Sequence, residues 1–459
     1  LFGRGSTGGA VNQVSKKPGL LDENEVGTTI GSHNYKRVTG DFNIKTGESA
    51  ALRLNAMYTS ADNNGAGSGI DKSGIAAAYR WGIGERQEFQ VSMHSLDNRN
   101  PRMNYGLPWI RPTSTSTIPG STVADNRLVP GLSPTAYYGL ASDRNAGTAK
   151  WLAFEHLYRF DDGGELRTKL RKGQFTRDQR AGTVRFAGTA PAAPVAGTLY
   201  NPAAVGMNNL TDNTIINRGT QLKIQDVETV HAQSDLSRKF EALGYKHELQ
   251  AGVDFAEEKK IVYAALSAAQ GGVVPVKPQT RLGTPNDGAS VNEGLRVLRP
   301  GNAYSATNLG IYAQDLMQLT PQWKLLAGLR WDRMDGSYSS YAIPNNAAGP
   351  VTTTSYNQVI SALSKRVGVL YQPNAMQSYH FSWGTSFNTS GDAYSYNAQS
   401  ANTPPESSVN IELGAKIDSA DKQFSTRYAI FHSVKTNERN TDPDSAATQL
   451  LLSGKRHSS

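Results

Sequence analysis

The feature that most limits what this chain can become is strict alternation. Leu52, Leu54, Ala56 and Tyr58 take one set of alternate positions, and Arg53, Asn55 and Thr59 take the other. Trp323, Leu325, Ala327, Leu329 and Trp331 alternate with Lys324, Gly328, Arg330 and Asp332, and Leu249, Ala251, Val253 and Phe255 with Gln250, Gly252 and Asp254. Val409, Ile411, Leu413, Ala415 and Ile417 stand against Asn410, Glu412, Gly414 and Lys416. A period of two sends successive side chains to opposite faces, so each segment is a strand whose two faces meet different surroundings.

The connections between these strands come in two lengths that alternate along the chain. Tight connectors fall at Gly47 to Ser49, Ile83 to Glu85, Asp161 to Gly164, Phe240 to Gly244, Thr320 to Gln322, Gln372 to Met376 and Asp418 to Asp421. Longer polar stretches separate them at 62–70, 99–147, 179–219, 259–304, 336–356, 389–405 and 435–446. Only the hairpin near His33 to Tyr35 is short where a long connection is due. An up-and-down antiparallel sheet with turns at one end and elaborated loops at the other accounts for this order. It has about 16 strands, each long enough for the ~9 to 11 tilted residues that cross a bilayer. An open sheet of that size leaves two edges exposed, and closure into a barrel removes them. The Leu, Val, Ala, Ile and Tyr face then meets lipid, and the Arg, Asn, Glu and Gly face meets a wet lumen. Trp81, Tyr158, Phe160, Trp323 and Trp331 read as strand-end aromatics of an interfacial girdle. A soluble sandwich would bury the apolar face as well, but its strands run shorter than these.

Composition removes other classes. Hydrophobic residues are 38% of 459, with no apolar run near the ~18 residues of a spanning helix, so a helical membrane bundle is excluded. The absence of Cys removes disulfide frameworks, thiol catalysis and Cys-ligated metals. The net charge of +8 is spread along strands, not gathered into the stripe or arm that nucleic acid needs. Those cations suit lumen carboxylates, a domain lodged in the lumen, or an anionic lipopolysaccharide surface. The eight His never fall in HxxxH or HExxH, and neither a GxSxG elbow nor a Walker A sequence is present. Asp161 and Asp162 read as turn residues, and Asp442 and Asp444 lack the Gly and Glu of a calcium loop. Gly3 to Gly8 formally matches GxGxxG, but Ala10 to Val14 after it reads as strand and no strand precedes it, so nucleotide binding is disfavoured.

Those same residues, GRGSTGGAVNQVSKKP, resemble the end of the plug domain in TonB-dependent outer-membrane siderophore receptors. GLRWDR at Gly328 to Arg333, GIYAQD at Gly310 to Asp315 and SFNTSGDAYSY at Ser386 to Tyr396 are similar to the same family. YGLPW at Tyr105 to Trp109, with the run from Pro404 through GAKIDSADKQFSTRYAIFH to NERNTDPDSA, resembles its catecholate-type subgroup. The resemblance implies an all-β fold: a transmembrane antiparallel up-and-down β-barrel preceded by a plug tail. Residues 1–18 would be the C-terminal end of the plug, and residues 19–459 a barrel short of its C-terminal strands, about 16 of about 22. The TonB box lies outside the sequence.

By the same resemblance the protein is an outer-membrane receptor of a Gram-negative cell that binds a ferric siderophore, a catecholate by subgroup, and imports it with TonB-coupled energy. No covalent chemistry is implied, so it is not an enzyme. It needs no cofactor, because the siderophore itself carries the ferric iron. Its partners would be the ferric siderophore, TonB, and outer-membrane lipid and lipopolysaccharide, with no nucleic acid. The competing readings are a passive porin, and a receptor of the same family for haem or cobalamin. A ferric catecholate is a flat-faced polyanion that calls for cations and aromatic faces. Expected ligand contacts are therefore Arg102, Tyr105, Trp109, Arg111, Tyr137, Tyr138 and Arg144 in one long loop, and Tyr394 and Tyr396 in another. Gly106 and Pro108 fix a local turn that displays Tyr105 and Trp109.

Overall fold

The alternating segments form strands. The computed structural model describes residues 3–4, 14–62, 67–102, 107–110, 127–344, 347–389, 394–421, 423–441, 450–452 and 454–459. Its wall consists of β1 Glu23–Gly31, β2 Tyr35–Lys45, β3 Ala50–Ala61, β4 Ile70–Trp81, β5 Gln87–Pro101, β6 Arg144–Arg159, β7 Glu165–Phe186 and β8 Ile215–Ala242. It continues with β9 Tyr245–Ala265, β10 Leu298–Gln318, β11 Trp323–Ala342, β12 Thr352–Asn374, β13 Gln377–Asn388, β14 Glu406–Asp418, β15 Ser425–Thr436 and β16 Lys455–Ser458. Each strand pairs antiparallel with the next. Among the described residues, helices are single 3-10 turns, and none is long and apolar enough to cross a membrane.

Turn chemistry sorts the two ends. The early tight hairpin works because His33 and Asn34 both take positive φ, 57° and 55°, which matches the twist of the paired strands. At the opposite end Gly82 has φ 68°, and a Cβ there would run into the Gln87 carbonyl. Asp162 accepts the Gly164 amide at 3.1 Å, so the Asp161–Asp162 pair serves a turn.

Several strands outrun the expected dozen residues: β7 has 22, β8 has 28 and β12 has 23. Crossing a bilayer takes only about 9 to 11, so the wall rises well past the membrane on the loop side. There both strand faces meet water or protein, and the apolar–polar alternation that marks a strand fades. Both faces of β7 are buried from Gln179 to Gly182. For the same reason Trp331 lies mid-strand in β11, while Trp81, Tyr158, Phe160 and Trp323 lie at the turn end.

Register lines the apolar residues up. Phe42, Leu54, Ala77, Met93 and Leu152 are consecutive partners from β2 to β6, and Leu325, Val369, Phe381, Leu413 and Ile430 from β11 to β15. Among the described residues nothing covers this belt: Leu329, Ile411 and Leu413 are exposed, Leu413 at 58%. Rings stack along its turn-side margin, Trp81 on Phe89 at 5.3 Å and Trp323 on Tyr371 at 4.4 Å. The opposite face is charged and internally paired. Arg53 binds Asp41 at 2.7 Å, Arg159 binds Glu88 at 3.0 Å, and Arg330 binds Asp254 at 2.7 Å.

The chain before β1 runs along this lumen face. Lys16 pairs with Asp41 and Lys17 with Glu155 at 2.8 Å, while Arg53 and Arg80 donate to the carbonyls of Lys17 and Pro18, each at 3.1 Å. Gly3–Arg4 adds in parallel to Ser386–Phe387 of β13. Most of the expected strand from Ala10 to Val14 lies outside the described residues.

Candidate ligand-binding site

At the loop end of the lumen, register places three tyrosines abreast: Tyr304 of β10 opposite Tyr338 of β11, and Tyr338 opposite Tyr356 of β12. They share the parity of Arg330 and Asp332, so they belong to the lumen face. The connection at 389–405 folds back onto this row. Tyr394 meets Tyr304 edge-on at 5.3 Å and 81°, and Tyr396 lies 5.8 Å from Tyr304. These edge-to-face contacts suit ring quadrupoles and hold the loop against the wall. Gly336 makes the approach possible, because a Cβ on it would overlap the Tyr396 hydroxyl. The Gln358 amide pins the same loop by donating to the carbonyls of Ser400 and Thr403, each at 3.2 Å. Tyr394 itself takes φ 54°, a left-handed backbone that non-glycine residues avoid unless their surroundings impose it. Lys260 of β9 completes the cluster with Nζ 5.0 Å from the Tyr394 ring centre. Aromatic faces beside an ammonium group form a surface that can take a flat anion.

A second assembly is built from three long connections, 102–143, 187–214 and 266–297, around a small apolar core of Ile110, Val129, Ala136, Tyr138, Ile216 and Leu282. Tyr138 donates to the Leu282 carbonyl at 2.7 Å, and the Asn286 amide to the Tyr137 carbonyl at 2.7 Å. Arg218, wholly buried on β8, donates to the carbonyls of Tyr138 at 2.7 Å and Pro278 at 3.1 Å and to Asp287 at 2.7 Å. Asp143 accepts from the Tyr137 hydroxyl at 3.1 Å and the Gly182 amide at 2.9 Å. Burial pushes the Tyr138 hydroxyl above its ordinary pKa, with Asp212 adding to the effect. Burial alone would raise Glu293 as well, but its hydrogen bond from Arg296 and the charges of Lys277 and Arg296 prevail and hold it below the usual carboxylate range.

The expected contact residues therefore divide. Tyr394 and Tyr396 come together in the lumen cluster, where Tyr394 stays partly exposed and Tyr396 is buried at 4% and packs the loop onto the wall. Tyr137 and Tyr138 are buried in the loop assembly at 6% and 2% exposure. Arg102 caps the start of its loop, donating its amide to Asp143 at 2.7 Å and its guanidinium to the Asp62 carbonyl. Arg144 is the first residue of β6, shares the parity of the outward Leu152, and binds Asp178 at 2.7 Å. Trp109 is half exposed in a two-residue ladder with Leu128, at the mouth of a cleft of about 870 Å³ that Arg185 and Phe186 also line. Tyr105 and Arg111 lie outside the described residues. Sequence reading missed Tyr304, Tyr338, Tyr356 and Lys260, which converge only once the strands are in register. Among the described residues no three His, Cys, Asp or Glu side chains gather as a metal site.

Comparison with known proteins places this geometry. The chain is 26% identical over 457 residues to the probable TonB-dependent receptor BfrD of Bordetella pertussis, covering 95% of this chain and 56% of that protein. It is 24% identical to the catecholate siderophore receptor Fiu of Escherichia coli, covering 98% of this chain and 59% of the relative. The chain thus spans a little over half the length of the curated relatives it matches. The crystal structure of Fiu in its closed form superposes with a TM-score of 0.79 at 19% identity, over 99% of this chain and 63% of that one. That of the siderophore receptor PiuA from Acinetobacter baumannii gives 0.75 at 20%, over 98% and 62%. The family described as TonB dependent receptor-like, beta-barrel matches residues 88–457. An uncovered apolar belt, a charged lumen and a match over most of its length agree: this chain belongs to the TonB-dependent receptor-like β-barrel family, whose barrels sit in the outer membrane.

Proposed function

We propose that the protein is an outer-membrane receptor that captures a ferric siderophore of catecholate type at its loop end and imports it with energy delivered through TonB. The observation that carries this is the partly exposed Tyr338, Tyr356 and Tyr394 with Lys260 on the lumen face, held on the buried Tyr304 and Tyr396 beneath the long loops. Catecholate rings on ferric iron are planar and the complex is anionic, so they fit exposed aromatic rings with a neighbouring cation. The relatives named as catecholate siderophore receptors support the same subgroup. We assign ligand contact to the partly exposed Tyr394, and to Trp109 at the neighbouring cleft.

In this reading residues 1–18 are the end of a plug, and the pairing of Lys16 and Lys17 with lumen carboxylates is how that end is seated. The iron is cargo held by its siderophore, the protein contributes no cofactor, and no covalent step occurs. Lipid meets the apolar belt, and basic loop tips meet lipopolysaccharide.

The test is growth of an iron-starved strain whose only siderophore receptor is the full-length protein, supplied with purified siderophores one at a time. Catecholates should support growth. Growth on hydroxamates, haem or cobalamin with none on catecholates would overturn the assignment. Uptake that persists without TonB would favour a passive pore.

A further inference from the structure

One row of the lipid-facing wall is built from small side chains. Val26 of β1 is opposite Gly40 of β2, Gly40 opposite Ala56 of β3, Ala56 opposite Ile75 of β4, Ile75 opposite Ser95 of β5, and Ser95 opposite Lys150 of β6. The outward rows on either side carry Phe42 on the turn side and Val38 and Tyr58 on the loop side, all exposed. The Phe42 ring leans into the space that a Cβ on Gly40 would take and forms one wall. These large side chains around Gly40 and Ala56 leave an outward groove of about 580 Å³, whose far end is lined by Ser73, Ser95 and Asp97.

The groove runs from the apolar belt to its polar margin. Outward residues stay apolar up to Tyr58 on β3, Ile75 on β4, Met93 on β5 and Leu152 on β6, and the next outward residues toward the loops are Ser60, Ser73, Ser95 and Lys150. Because barrel strands tilt, the margin cuts across the rows. A single row therefore lies within the belt at Gly40 and Ala56 and at headgroup level at Ser95 and Lys150. Lys172 of β7 faces the same way, opposite Leu152 and one diagonal step from Lys150, about 7 to 8 Å off. Both lysines are exposed, and among the described residues neither has a carboxylate within ion-pairing distance. They point away from the lumen, so nothing lodged there can answer them. Asp97 at the end of the groove is held by Arg99 at 2.6 Å, and Glu228, outward on β8, accepts from Gln174 at 3.3 Å.

We infer that this groove seats an acyl chain of a phosphorylated glycolipid of the outer leaflet, whose phosphate lies on Lys150 and Lys172. The groove fits an amphiphile in one orientation: the chain over Gly40 and Ala56, the sugar hydroxyls by Ser73 and Ser95, and the anion beyond them. Within lipid no water is expelled when the chain binds, so packing selects it. Charge selects the headgroup. The site depends on the barrel's place in the outer membrane and not on the ligand captured at the loop end.

The test uses the full-length receptor, stripped of lipid in non-ionic detergent and titrated with hexa-acyl bisphosphoryl lipid A, with native mass spectrometry counting the bound lipid. Wild type should hold one lipid A more tightly than any further ones. Lys150→Gln with Lys172→Gln should weaken that first binding about twentyfold at low salt, each lysine contributing about fivefold, and Arg at both positions should restore it. Ala56→Leu, which fills the groove and leaves both cations, should weaken it about threefold. Lys259→Gln removes an outward cation already met by Glu257 at 2.7 Å and should change nothing. Heat-modifiable gel mobility checks folding, and the single lysine variants serve if the double variant misfolds. Wild-type binding by the lysine variants overturns the site, as does an equal loss from Lys259→Gln, which would mean a diffuse effect of charge. Wild-type binding by Ala56→Leu overturns the seat for the chain. Phosphatidylglycerol that binds as tightly and is lost in the same variants overturns the glycolipid assignment. Ferric catecholate affinity, measured on the same variants, should match wild type, and a receptor that binds no catecholate sinks the proposed function while leaving this site standing.

Discussion

The loop assembly and the lumen wall use the same residue types in different surroundings. In the loops, Tyr137, Tyr138 and Arg218 are buried, and their polar atoms are tied to named carbonyls and carboxylates. On the lumen wall, Arg171 and Lys260 lie over rings, and Arg177 donates to the Gln179 side chain. An arginine or tyrosine therefore reads as structure or as recognition by what answers it, not by its identity. A buried group must be satisfied by protein, and a group left facing water can be satisfied by a ligand.

The comparison breaks or sharpens at four points. The largest effect is expected from Arg218→Ala, which strands the Asp287 carboxylate and two carbonyls in the loop assembly and costs roughly 3 to 5 kcal/mol. Limited proteolysis should then cut within 127–143 and 266–297 while the barrel keeps its heat-modifiable mobility. Next, Tyr394→Ala should weaken ferric catecholate binding by about tenfold with no change in melting of the barrel. Titration of the purified receptor by fluorescence quenching measures it, and an unchanged affinity removes the cluster from capture.

A pH effect follows in size. The folded-state pKa of Glu293 lies below its ordinary 4.5, so its contribution is fully present above that value and fades as pH falls through the folded value. The 266–297 loop should become protease-sensitive on acidification below about pH 4.5, and Glu293→Gln should abolish that dependence. The smallest effect is Tyr138→Phe, which removes one buried hydrogen bond and costs about 1 kcal/mol in loop stability. Its ligand affinity should match wild type, and a marked loss would assign Tyr138 a recognition role.

The wall was legible because lipid imposes a rule on every second residue. Leu325, Leu329, Ile411 and Leu413 alternate for that reason, and all four lie on one face in the structure. Strand length was less legible. Above the membrane no apolar phase constrains β7 past Gln179 or β11 past Asp335, and the strand ends were read too early. The lumen cluster was half visible. Tyr394 and Tyr396 sit in an aromatic loop motif, but Tyr304, Tyr338 and Tyr356 are spaced far apart in sequence and meet only across strand partners.

What the sequence determined alone is the two-faced ribbon, its turn end and its loop end, since these follow from local hydropathy and backbone preference. The tertiary structure decided which cations meet which carboxylates, because most of these ion pairs join residues from different strands. Arg330 meets Asp254 across 76 positions of chain, and only the register carried from β9 through β10 to β11 brings such groups within reach.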